Sequence, residues 1–312
     1  GVFSTGIYII LQALMYRYSF KAANQTISLK SGIDIFLKRN LISVFLPAGG
    51  ITSLAYLPKN LKKQNLPINS IHLASSIYGF VGILSVIVVG IPLIIYAVNI
   101  NKNFTNNIGF LVAIIAIIIL LLIIYFSFKH KGFLYQKLIK YFPKFVEQIN
   151  AIFSEDIHQK SFIKTVFISV IIEFFGVIQI TIAMLALGIE VKLSAAALAY
   201  IISVILMMVS PFLRGLGAVE FSLAYILTQF GYQHGEGLGV TLLYRVFEFW
   251  LPLGAGIVSY FWNGRKLLAR LFPTVLLFSL GIINILSVIT PPILSRLELT
   301  ENYIENSLIH YS

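Results

Sequence analysis

Apolar residues run along this chain in long, nearly unbroken stretches, separated by short clusters of lysine and arginine. No stretch alternates with the ten-residue rhythm of membrane-barrel strands, and the runs are as long as helices that cross a bilayer. Residues 3–16 (FSTGIYIILQALMY) predict the end of a first spanning helix. Residues 17–39, with Arg17, Lys21, Lys30, Lys38 and Arg39, predict a basic cytoplasmic loop. Residues 70–98 and 108–128 predict spanning helices joined outside by NINKNFTNN, which has a single lysine. From 129 to 160 the pattern turns amphipathic, with Lys129, Lys131, Lys137, Lys140, Lys144 and Lys160, and predicts a cytoplasmic segment on the membrane surface. Residues 161–188 then predict a helix running outward and 238–262 one running inward to the basic cluster NGRKLLAR. A further outward span at 271–290 and an interfacial tail at 293–312 complete the pattern.

Two apolar segments are interrupted. Residues 40–58 (NLISVFLPAGGITSLAYLP) are broken by Pro47, Gly49 and Gly50, and are flanked by basic clusters on both sides. Such a segment enters and leaves from the same face, so it reads as re-entrant. Residues 193–231, interrupted within about 195–231, contain SPFLRGLGAVEFSLAY, in which Pro211 stands at the break. With 161–188 directed outward and 238–262 inward, this segment begins and ends outside, and it reads as re-entrant from the opposite face. LPAGGITSLAY (46–56) and SPFLRGLGAVEFSLAY (210–225) share a proline, glycines and then Ser-Leu-Ala-Tyr, and each leads to a spanning helix with a tyrosine, Tyr78 or Tyr244. The expected fold is therefore an all-α, polytopic transmembrane bundle with two inverted, broken-helix segments. Transport proteins build substrate sites in this way.

Composition agrees with the pattern: 58% of the 312 residues are hydrophobic, 11% are charged and the mean hydropathy is +0.90. A soluble domain carries about 25% charged residues. The formal net charge of +11 sits in short loops, which fits topology signals and anionic headgroups better than nucleic acid. Nucleic acid is not an expected partner. Absence of cysteine excludes disulfides, thiol catalysis and thiolate metal sites. Opening at Gly1 in mid-phrase and stopping abruptly at Ser312, the chain reads as a piece of a longer protein.

Charges inside apolar runs are the candidate functional residues. A charge at the bilayer centre costs about 2.5–3.5 kcal/mol even on insertion scales, so it has a partner or a task. The candidates are Arg214 and Glu220 in the second break, Arg245 and Glu248 in LLYRVFEFWLP, and Glu173 in VIIEFFG. Arg245 and Glu248 stand three apart and share a helix face. They read either as a neutral pair that fixes packing, or as part of a site in which Arg214 or Arg245 holds a lipid phosphate. In the latter case Glu220 or Glu248 faces a cationic headgroup or balances the arginines. Glu173 reads either as the buried partner of an arginine or as a cavity carboxylate. Gly215 and Gly217 allow close helix packing or expose backbone amides at a half-helix N-terminus.

Enzyme signatures are missing. There is no GxxxxGK[ST] and no GxSxG, and His72, His130, His158, His234 and His310 have no metal-ligand spacing. GLGAVE lacks the third glycine of a dinucleotide fingerprint and a preceding strand. No cofactor, metal or catalytic residue is expected in this chain.

The stretch SPFLRGLGAVEFSLAYILTQFGYQHGEGLGVTLLYRVFEFWLPLGAGIVSYF resembles the signature half of the lysylphosphatidylglycerol synthase/flippase membrane domain. In that family a Pro-Gly-Gly-like break, Gly-x-x-Glu and a later Tyr-Arg-x-x-x-Phe/Tyr-Trp-x-Pro recur. FLKRNLISVFLPAGGITSLAYLPK is similar to the first-half counterpart, and the resemblance covers essentially the whole chain. It implies a flippase-like domain over residues 1–266, followed at 267–312 by the start of a truncated second membrane block. In full-length relatives that block leads to a cytoplasmic aminoacyltransferase domain. Those relatives are phosphatidylglycerol lysyltransferases that also move the aminoacylated lipid to the outer leaflet of the bacterial inner membrane, which blunts cationic antimicrobial peptides.

Carried over, Gly217, Glu220, Tyr244, Arg245 and Pro252 fall on the family pattern. With Arg214, Glu248 and Glu173 they form the expected headgroup site, apart from Pro252. Phospholipid and membrane are the expected partners, and a second copy of the chain is an option. Two departures bear on the substrate: GGITS stands where many relatives have a glycine-glutamate pair, and Arg214 occupies a turn that is usually glycine-rich. Another amino lipid is thus an alternative. So are a noncatalytic scaffold that delivers lipid to a synthase domain, and a small-solute transporter.

Overall fold

The computed structural model describes residues 1–46, 53–56, 61, 66–100, 130–141, 150, 157–209 and 215–262. Gly1–Ile257 form one compact unit and Val258–Ser312 a second. The described residues are helical, without strands. Helix α1 covers Val2–Ala22 and α2 Leu29–Phe45, followed by a 3-10 turn at Ser53–Ala55. Helix α3 covers Ile68–Ile100, α4 Phe133–Tyr141, α5 Gln159–Ala186, α6 Leu193–Val209, α7 Ala218–Gln229 and α8 His234–Arg245. A π-helical turn at Val246–Trp250 leads directly into α9, Leu251–Trp262.

Among the described residues, three stretches are long and apolar enough to cross a membrane: Ile68–Ala97, Gln159–Ala186 and His234–Ser259. They coincide with three of the spans expected from hydropathy. The expected span at 108–128, the outer segments at 263–312, and the break residues Pro47, Gly49, Gly50, Pro211 and Arg214 lie outside the described residues.

The basic loop expected at 17–39 is corrected by the structure. Arg17 and Lys21 belong to the last turns of α1, while Lys30, Lys38 and Arg39 belong to α2. Only residues 23–28 connect the helices, and Ser28 starts the second by accepting the Ser31 amide on its hydroxyl at 3.1 Å. Lysine and arginine are good helix formers, so basic character alone does not mark a loop. Ile35, Phe36, Leu37 and Leu41 are buried and fasten α2 against its neighbours. Lys38 is buried with them and pairs with Asp34 one turn earlier at 2.7 Å.

Two apolar cores share α3 and α5. One is built by α1, α2 and the first part of α3, with Tyr16, Phe20, Ile35, Ile71 and Ile77 near its centre. The other gathers the second part of α5 with α6, α7 and α8 around the small residues Ala195, Ala196, Ala197 and Ala199. Small side chains let helix backbones approach closely where lipid offers no hydrophobic gain. At Gly176 of α5, a Cβ would fall 1.9 Å from the Tyr200 ring of α6, so glycine is required for that contact.

Helices α6 and α7 form a hairpin whose ends meet. Lys192 Nζ donates to the Phe230 carbonyl at 2.8 Å, and the Tyr232 hydroxyl accepts the Lys192 amide at 3.0 Å while donating to the Glu190 carbonyl at 2.7 Å. Burial holds the Tyr232 phenol above its ordinary pKa, which keeps it a neutral donor. At the far end of α5, the His158 amide donates to the Ala22 carbonyl at 3.0 Å. The 28 residues of α5 hold these two ends roughly 42 Å apart at 1.5 Å per residue.

Candidate functional site

The second half of the chain converges on one buried guanidinium. Arg245, at the last turn of α8, is 1% exposed. Its Nε donates to Glu220 Oε1 of α7 at 2.6 Å, and its Nη1 donates to Glu248 Oε2 at 2.9 Å and to Met207 Sδ of α6 at 3.7 Å. The guanidinium lies over the Phe249 ring, 4.6 Å from its centre. Its Nη2 is buried with no hydrogen-bond partner among the described residues. Three helices and the π turn are thus tied through one side chain, with two carboxylates against a single cation among the described residues.

Local sequence places each member. Gly217 has φ 87° and ψ −59°, a conformation open to glycine and hostile to L side chains. It sets the entry of α7 and donates its amide to Glu220 Oε2 at 2.6 Å, so Glu220 closes the helix start with one oxygen and holds Arg245 with the other. Among the described residues nothing lies within 4 Å of a Cβ added at Gly217, and its amide is taken by Glu220, so neither observation is what requires glycine here. Its backbone conformation does. Near the other end, Pro252 has no amide hydrogen for the Glu248 carbonyl four residues back, and the π turn over Val246–Trp250 sits on that defect. Glu248 and Phe249 are thereby both turned inward, with Glu248 5% exposed.

Other expected site residues fall elsewhere. Tyr244 is fully buried in the core among α6 and α7 residues, beside Arg245 in sequence but not among its hydrogen-bond partners. Glu173 forms a separate cluster: Ser85 of α3 donates to Oε1 at 3.0 Å and Tyr200 of α6 donates to Oε2 at 3.0 Å. Ser169, one turn earlier, bonds Ser85 at 2.7 Å. Among the described residues the partners of Glu173 are hydroxyls, not an arginine. Arg214 lies outside the described residues.

One residue was not expected from sequence. Arg39 of α2 is 2% exposed and clamps the chain where it returns after the first break. Its Nη2 donates to the Leu54 carbonyl at 3.0 Å, the Tyr56 carbonyl at 3.1 Å and Ser75 Oγ at 2.7 Å, and Nε reaches the Tyr56 carbonyl at 3.2 Å. Residues 39 and 56, which stand on either side of the first break in sequence, therefore meet. The sequence did hold a signal: Lys38 has Asp34 four residues earlier, whereas Arg39 has Ile35, Phe36, Ile42 and Ser43 at helical spacing.

The lysylphosphatidylglycerol synthase TM region matches residues 2–256, which include the clamp at Arg39 and the whole Arg245 cluster. The chain belongs to that family. No curated protein and no solved structure matches it. As a member of the lysylphosphatidylglycerol synthase TM family with three apolar stretches of spanning length among the described residues, it is a membrane protein.

Proposed function

We propose that this domain carries an aminoacylated phospholipid, lysyl-phosphatidylglycerol or a close relative, between the leaflets of the bacterial inner membrane. The observation that carries the reading is the Arg245–Glu220–Glu248 cluster at the break of the second hairpin. Charge of this kind is costly at membrane depth and marks substrate paths when it is not a plain neutral pair. Among the described residues two carboxylates outnumber one guanidinium, which suits a cationic amine headgroup. The free Nη2 of Arg245 offers a donor for phosphate. In this reading both interrupted segments are re-entrant from opposite faces. The headgroup crosses through the polar seam between them while the acyl tails stay in lipid. Lower negative charge on the outer surface, and resistance to cationic peptides, would follow.

Lipid movement in liposomes tests this. The chain is reconstituted with lysyl-phosphatidylglycerol, and a membrane-impermeant amine reagent measures how much lipid becomes reachable. Labelling beyond the outer-leaflet share, reduced in Glu220→Gln and Glu248→Gln at unchanged yield of folded protein, supports translocation. Labelling held at the outer-leaflet share moves the assignment to a scaffold that delivers lipid to a synthase. Parallel loss of folded protein and activity makes the cluster a packing device.

A further inference from the structure

The two buried arginines differ in charge compensation. Arg245 meets two carboxylates. Arg39 meets none among the described residues; its partners are two backbone carbonyls, one hydroxyl and the face of Tyr16, 5.3 Å from ring centre to guanidinium carbon. Asp34, the nearest acid along α2, is engaged by Lys38. Arg39 Nη1 is buried with no hydrogen-bond partner among the described residues. The wall on the Tyr16 side is rigid: Tyr16 stacks on Tyr78 of α3 at 3.8 Å and 6°, and Tyr78 is hydrogen-bonded to Gln12. An aromatic face and neutral dipoles soften the burial of a full positive charge but do not neutralise it.

The geometry points to Arg39 as a binding site for a phosphate oxyanion, separate from the Arg245 cluster. Nη1 supplies a donor on a guanidinium already oriented by its other nitrogens, and orientation beforehand lowers the entropy lost on binding. Phosphate is the anion that phospholipid headgroups present at the membrane surface, and a charge-assisted hydrogen bond from Nη1 suits one of its oxygens. The two sites are distinct in place. Helix α1 touches both, with the Thr5 hydroxyl donating to the Phe247 carbonyl at 3.0 Å and Tyr16 beneath Arg39. Those eleven positions correspond to roughly 16 Å of helix. At 2% exposure, Arg39 receives a ligand only when its surroundings open, so binding is tied to conformation. None of this rests on lipid movement: a chain that binds phosphate and never translocates lipid would satisfy it.

The test uses the full chain in uncharged detergent. Unfolding temperature is followed with added phosphatidylglycerol, inorganic phosphate or diacylglycerol, which has the tails without the phosphate. A ligand that binds the folded state raises that temperature with concentration. Wild type is stabilised by phosphatidylglycerol, by phosphate or by both, and which one responds identifies a lipid or a free anion as the source. Arg39→Gln binds about tenfold more weakly or worse, the loss expected for one charged hydrogen bond, and Arg39→Lys falls between. Equal stabilisation by diacylglycerol, or an undiminished response in Arg39→Gln, overturns the site. Should Arg39→Gln fail to fold, the Arg39 Nε signal in wild type labelled with 15N-arginine, assigned through Arg39→Lys, decides. A shift on adding phosphatidylglycerol or phosphate supports the site, and an unmoved signal leaves Arg39 a clamp alone.

Discussion

At the scale of single residues, Arg245 makes the cluster sensitive in a graded way. Removing one partner from a buried ion pair costs about 3–5 kcal/mol, because the other charge is left uncompensated. Glu248 is 5% exposed and Glu220 17%, so water relieves the loss of Glu220 more than that of Glu248. Glu248→Ala is therefore expected to lower unfolding stability more than Glu220→Ala. Arg245→Met, which strands two carboxylates, is expected to be the most damaging single change. The double variant Arg245→Met/Glu248→Leu should destabilise by clearly less than the two singles added together, since it removes a charge and its partner at once. A double-mutant cycle on detergent-solubilised protein measures the coupling, and additivity within about 0.5 kcal/mol would dissolve the cluster as an energetic unit.

At the scale of elements, the long helices were legible because hydropathy alone decides them. The segments expected at 70–98, 161–188 and 238–262 are α3, α5 and the run through α8 and α9. The extent of α1 and the start of α2 were not legible, because loop-seeking charge rules read Arg17 to Arg39 as one basic patch. Those charges lie along two helices. Within the site, Arg245 and Glu248 were readable as neighbours from their spacing of three. The link from Arg245 to Glu220 crosses 25 residues and needs the fold. Gly217 was noticed for packing or for its amide, but its role is set by a backbone angle that sequence does not display. That role predicts a contrast. Gly217→Ala puts a Cβ into open space yet onto a conformation L residues avoid, and should cost about 1–3 kcal/mol. Gly254→Ala in α9 has equally open space without the positive φ, and should be neutral or stabilising by up to about 1 kcal/mol. Thermal unfolding of the pair separates conformation from volume.

At the scale of the molecule, the question is which face of the membrane each end of the bundle meets. The second hairpin starts and finishes at one level, because Lys192 bonds Phe230 and Tyr232 bonds Glu190. Ala22 and His158 meet at the other end of α5, a full span away. Ends that meet in this way fit the proposal that residues 193–231 enter and leave from the same face. Because the chain has no cysteine, single cysteines report side without further engineering. Glu190, Gln233 and Thr26 are exposed in the structure. In intact cells, an impermeant maleimide should label Glu190→Cys and Gln233→Cys alike and leave Thr26→Cys unlabelled until the membrane is opened. Opposite accessibility of Glu190→Cys and Gln233→Cys would make residues 193–231 a crossing and remove the re-entrant site. Equal accessibility of all three would break the opposition of the two ends on which the inverted arrangement, and with it the path for a headgroup, depends.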